Sequence, residues 1–145
     1  MDLLNYKDLI DGNPIHIATV TKENNPNLSV ASDVQIMDKD KIIISVNEMN
    51  HTQENIMYNE NVVITAFNED WVGLRIFGKA KFYESGEYYD YCKKTFFANW
   101  ETTPFGATEP KGAIVVTVEN VKNFSRNYIL FKQIIRLLCK FLLLH

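Results

Sequence analysis

The sequence predicts a mainly β protein with flanking helices, built as a six-stranded antiparallel barrel. Three observations lead there: short runs rich in β-branched residues, turn clusters between them, and a long strand from Val72 to Tyr83 with Gly78 inside it. Tight turns join antiparallel neighbours, whereas a parallel crossover needs about a dozen residues or more. A glycine within a long strand marks a bend or bulge of the kind that lets barrels turn corners, so a barrel is expected rather than a sandwich.

Residues 2–11 read as a short helix, capped by Asp2, faced by Leu3, Leu4, Leu9 and Ile10, and stopped by Gly12. Ile15 to Thr21 is the first strand. Glu23-Asn24-Asn25-Pro26-Asn27 is a turn cluster before a second strand running from Leu28 to Met37. Asp38-Lys39-Asp40-Lys41 turns the chain into a third, Ile42 to Val46. The pattern becomes helical from Thr52 to Tyr58 and returns to strand at Val62 to Phe67, then Val72 to Tyr83. Tyr88, Tyr91, Cys92 and Phe96 stand at helical spacing within Gly86 to Phe97. A loop with Pro104, Gly106, Pro110 and Gly112 precedes the last strand, Ala113 to Val118.

At 145 residues the chain is long enough for one domain with a core of its own. Its net charge of -3 excludes the basic excess that nucleic-acid binding requires. Cys92 and Cys139 form no CxxC pair, which points to a reducing cytoplasm, and the N-terminus shows no signal-peptide pattern. His16, His51 and His145 lack metal-ligand spacing, and no P-loop, GxSxG or GxGxxG occurs. In the tail, Lys132, Arg136 and Lys140 lie along one helical stripe beside Leu, Ile and Phe. That pattern suits a helix packed on the domain or on a partner subunit, or one lying at a membrane surface. It is too short and too charged for a span, which takes ~20 mostly apolar residues.

The stretch from Asn47 to Asn55 carries the most chemistry. A strand end feeds a helix start, where unpaired N–H groups and the positive end of the dipole favour an anion. Asn50 is placed to cap with Gln53, and His51 and Thr52 add donors beside those N–H groups. The same residues also describe a plain, well-capped surface helix. Ser29-Val30-Ala31-Ser32-Asp33 alternates small and polar side chains, which suits either a flat ligand lying close to the sheet or a solvated edge strand. Arg75, a charge amid apolar neighbours, reads equally as an anion ligand or a structural ion pair. Trp71 and Trp100 could stack on a ring or sit at an interface.

Taken in order, these stretches resemble the FMN-binding split-barrel superfamily, which includes pyridoxamine 5'-phosphate oxidase and small bacterial FMN-binding proteins. The resemblance rests on Ile17-Ala18-Thr19-Val20, Pro26 to Ser32, Ile42 to Val46, Met49 to Ile56 and Leu74 to Ala80. It implies a split barrel over residues 1–121, followed by a tail at 122–145, and a homodimer with FMN at the subunit interface. Ser29, Val30, Ala31 and Ser32 would run along the flavin, and Ser45, Val46 and Asn47 would meet the isoalloxazine edge. His51 and Thr52, beside Asn50, match the family's phosphate pair. Histidine replaces a permanent cation there, so FMN affinity is expected to fade as pH rises. The Trp- and Arg-rich C-terminal signature of true pyridoxamine-phosphate oxidases is absent from residues 122–145. The expectation is therefore a cytoplasmic FMN-dependent oxidoreductase or electron carrier, served by NAD(P)H or a redox protein. The alternative is a non-catalytic module that stores or senses flavin, haem or deazaflavin.

Overall fold

In a computed structural model, residues 2–68, 72–96 and 109–123 are described. A 3-10 turn, Leu3–Tyr6, leads into α1 (Lys7–Ile10), and Asp2 accepts a hydrogen bond from the Leu4 amide at 3.0 Å, capping the turn. Gly12 ends this segment at φ +68°, a conformation that costs glycine nothing. The strands are β1 (Ile15–Val20), β2 (Pro26–Ala31), β3 (Val34–Asp38), β4 (Lys41–Val46), β5 (Asn61–Phe67), β6 (Gly73–Tyr83) and β7 (Gly112–Asn123). Between them lie α2 (Asn50–Tyr58) and α3 (Glu87–Phe96).

All seven strands form one antiparallel sheet in the order β2-β1-β5-β6-β7-β4-β3. Its two edge strands, β2 and β3, are consecutive in the chain and separated only by Ser32 and Asp33. A flat sheet could not bring its opposite edges within two residues, so the sheet is curled. This is the split barrel, with its seam between β2 and the β3–β4 pair.

The strand count corrects the sequence reading: Leu28 to Met37 is two strands, not one. Leu28, Val30, Val34 and Ile36 share a parity, which reads as one alternating strand. In the fold the inward parity switches at Ser32-Asp33. Leu28 and Val30 are 65% and 58% exposed, while Val34 and Ile36 are buried. The chain leaves β1 at this joint and crosses the seam to pair with β4.

Gly78 does mark a bulge, since the β6–β7 register shifts between Phe77 and Gly78, and a Cβ there would collide with the Thr117 carbonyl. Inside the curl, isoleucines dominate the core, with Ile17, Ile42, Ile44, Ile64, Ile76 and Ile114 fully buried. In a smaller cluster, Cys92 of α3 packs on Ile43, Ala113 and Val115 of the sheet, with Tyr83, Tyr88 and Tyr91 against them. The edge of β3 is covered: Asp11 Oδ1 accepts from the Ile36 amide at 2.7 Å, and the Gly12 amide donates to the Val34 carbonyl at 3.0 Å. β7 runs on to Asn123, and the remainder of the expected tail, 124–145, lies outside the described residues, as do Trp71, Trp100, Pro104, Gly106 and Cys139.

Candidate functional site

The seam opens into a cavity of about 420 Å³, within the range of about 300–1,000 Å³ usual for small-molecule sites. One wall is β2 and the joint, from Ser29 through Val30, Ala31 and Ser32 to Asp33. The other is the end of β4 and the turn beyond it: Ser45, Asn47, Glu48 and Met49. Alternation places Ser45 on this side while Val46 points into the barrel core, fully buried. Of the candidates on these strands, Ser29, Val30, Ala31, Ser32, Ser45 and Asn47 therefore meet in one space, and Val46 backs it.

The polar chemistry of the cavity is incomplete. Asn47 donates through Nδ2 to Asp33 Oδ2 at 3.2 Å, and the Asp33 carbonyl accepts from the Ser45 amide at 2.9 Å. Ser45 Oγ and Asn47 Oδ1 are nevertheless buried with no hydrogen-bond partner. Leaving such groups unpaired costs about 1–3 kcal/mol each, so a polar ligand supplying partners would be favoured here. Glu48 is neutralised by Lys111 Nζ at 3.2 Å, and Lys111 also donates its amide to the Val46 carbonyl at 2.8 Å, holding the turn.

Helix α2 begins beside this turn. Its cap is Met49 and its first helical hydrogen bond runs from the Gln53 amide to the Met49 carbonyl at 2.9 Å. This corrects the expected Asn50–Gln53 capping box: Asn50 is already the first helical residue, and no side chain caps the helix. The amides of Asn50, His51 and Thr52 precede the first helical bond and keep the donor character of a helix start. The His51 side chain is 87% exposed and lies 3.6 Å from Glu54 Oε2. Thr52 turns the other way, fully buried, with its hydroxyl 2.6 Å from Ser29 Oγ.

Arg75 is not brought to the cavity within one chain. It lies exposed on the outer face of β6, in the cross-strand row Val30, His16, Thr65, Arg75 and Lys122. Sequence reasoning missed Asn27, Thr19 and Asn55, which form a buried polar group behind Ser29 and Thr52. The signal was present as polar residues at inward positions of β1, β2 and α2. Among the described residues no group of side chains could hold a metal ion.

The family model described as pyridoxamine 5'-phosphate oxidase matches residues 5–125, which include every described strand. The chain belongs to the pyridoxamine 5'-phosphate oxidase family. It is similar to an uncharacterized protein of Methanocaldococcus jannaschii, 28% identical over 111 residues, covering 75% of this chain and 71% of that protein. Among solved structures, Group A Streptococcus HupZ is 26% identical with a TM-score of 0.74, covering 86% of this chain and 94% of that one. An FMN-binding protein from Syntrophomonas wolfei shares the fold at a TM-score of 0.66 and 21% identity, covering 85% of this chain and 82% of its own. For a member of the pyridoxamine 5'-phosphate oxidase family, the cavity at the seam is the natural place to test a flavin. Its size, its small-residue wall and its two unpaired polar atoms fit a flat ring edged with hydrogen-bonding groups.

Proposed function

We propose that this chain is an FMN-binding flavoprotein that works in the cytoplasm as a homodimer, as an FMN-dependent oxidoreductase or electron carrier. The observation that carries this reading is the seam cavity, where Ser45 Oγ and Asn47 Oδ1 lie buried and unpaired beside the start of α2. Ser29 to Ser32 would pass along the flavin, Ser45 and Asn47 would bond the polar edge of its ring, and the helix start at Asn50, His51 and Thr52 would seat its phosphate. The bound flavin supplies the redox chemistry, and the chain supplies orientation and partial exclusion of water. The two carboxylates that line the cavity are both engaged, Asp33 by Asn47 and Glu48 by Lys111. Electron or hydride exchange with NAD(P)H or a redox protein suits such a site better than proton abstraction does.

The outer sheet face supports the homodimer. Leu28, Ala18, Val63 and Phe77 form one cross-strand row, and Leu28, Val30 and Phe67 are 65%, 58% and 48% exposed. A contiguous apolar patch of this kind marks an interaction surface. Val30 belongs both to this face and to the cavity wall, so a second copy seated here would border the flavin site. Arg75 then reaches a flavin only across the subunit contact. Among the described residues no helix is long and apolar enough to cross a membrane.

The test is the absorption spectrum of protein purified without added cofactor, followed by titration with FMN and, in parallel, with haem and a deazaflavin. Flavin bands, or saturable uptake of FMN, are expected, with bleaching by NADH or NADPH if the protein is an enzyme. A colourless protein that takes up no FMN overturns the proposal, and preference for haem or deazaflavin favours the storage or sensing alternative.

A further inference from the structure

The hydroxyl of Thr52 has two neighbours. Asn27 Nδ2 lies 3.3 Å away and Ser29 Oγ lies 2.6 Å away. An amide nitrogen can only donate, so Asn27 gives Thr52 a hydrogen. The other hydrogen of that amide goes to Thr19 Oγ1 at 3.1 Å, which also accepts from Asn55 Nδ2 at 2.9 Å. Thr19, Thr52 and Asn55 are all buried, so this group of residues is held in one arrangement. Among the described residues, the one acceptor in reach of the Thr52 proton is Ser29 Oγ. Ser29 therefore accepts from Thr52, and its own proton is directed elsewhere, into the cavity it lines.

A hydroxyl fixed as a donor is unusual, because serine normally rotates to suit whatever approaches it. Here it stands beside the open amides at the start of α2, where the helix dipole also favours negative charge. Ser45, 4% exposed, lines the same cavity, and its Oγ is buried without a partner. A hydroxyl fixed as a donor complements a phosphate, whose oxygens only accept. We infer that Thr52 is a positioning residue that locks Ser29 as a hydrogen-bond donor to the phosphate of a flavin mononucleotide, rather than a phosphate ligand itself. The inference rests on the FMN reading above and assigns roles within that site.

Titration of wild type, Thr52→Val, Thr52→Ser and Ser29→Ala with FMN and with riboflavin, which lacks the phosphate, tests it. Wild type should prefer FMN. Thr52→Val, which keeps the shape and removes the hydroxyl, should lose about tenfold in FMN affinity and leave riboflavin affinity nearly unchanged. Thr52→Ser should restore FMN binding, and Ser29→Ala should lose as much as the Ser29→Ala/Thr52→Val double variant. If Thr52→Val does not fold, Ser29→Ala on the cavity wall carries the same FMN-against-riboflavin expectation. Equal losses for both ligands, or no rescue by serine, overturn the inference, because a merely structural threonine would give them. Wild type that binds FMN and riboflavin alike also overturns it while leaving flavin binding intact. Wild type that binds neither overturns the FMN reading and this inference with it.

Discussion

Asn47 donates its side-chain amide to Asp33 Oδ2 across 3.2 Å and keeps its own Oδ1 buried without a partner. The bond ties the end of β4 to the joint between β2 and β3, so the residue closes the seam beside the cavity it lines, with an acceptor still unpaired. Asn47→Ala removes that acceptor and should weaken FMN binding about five- to tenfold. Asn47→Asp should weaken it further, because a second carboxylate would face Asp33. Fluorescence titration of both variants reads the effect, and wild-type affinity in Asn47→Asp would remove Asn47 from the site.

The His51 side chain is 87% exposed with Glu54 3.6 Å away, so its part in phosphate binding is that of a surface contact. His51→Ala should lower FMN affinity roughly two- to fivefold, the scale of an exposed charge contact, and leave riboflavin affinity unchanged. Equal FMN affinities for wild type and His51→Ala would show that the imidazole plays no part.

Leu28 lies at the β2 end of the outer apolar row with Ala18, Val63 and Phe77. Placing a charge there, as Leu28→Glu, should weaken self-association by at least about tenfold, since the carboxylate would be buried without a partner. Sedimentation equilibrium measures this, and a dimer of unchanged strength would move the contact to another face. Far-UV circular dichroism should be unaltered, because Leu28 is 65% exposed within one chain.

Cys92 sits on the buried face of α3, where burial first, and the Asp33 carboxylate second, push its thiol up to about 12 from an ordinary value of 9.0. The unfolded thiol ionises before the folded one. Its contribution to stability is thus fully present below about pH 9 and is lost as pH rises toward the folded value. In a Cys139→Ser background a thiol reagent at pH 8 should leave the native protein unmodified and label one thiol per chain after denaturation. The denaturation midpoint should also fall across the alkaline range. Rapid labelling of the native state would place Cys92 at the surface.

Much of the fold is legible because local chemistry and tertiary context agree. Gly78 announced its bulge, Gly12 its turn, and the Asp38 to Lys41 cluster its hairpin. The joint at Ser32-Asp33 was not legible. Leu28 and Val30 are apolar for contact outside the barrel, and they keep the parity of the inward Val34 and Ile36, hiding the break. The helix start was found, yet its cap was displaced by one residue, since Met49 satisfies the Gln53 amide through its backbone and no side-chain signal marks it. The sequence places Ser29 on a strand and Asn47 at a strand end, and both line the cavity. The direction of Thr52, inward to Ser29 rather than outward with His51, follows from a helical turn angle that spacing alone leaves free.

The cover that Asp11 and Gly12 lay over β3 limits how copies can associate. A sheet has two raw edges, and strand-to-strand addition at both would let chains polymerise without end. Among the described residues the β3 edge is closed off by these bonds, so main-chain addition there is blocked. The short N-terminal segment thus acts as a guard rail along that flank, withholding one of the two templates that endless strand addition would need.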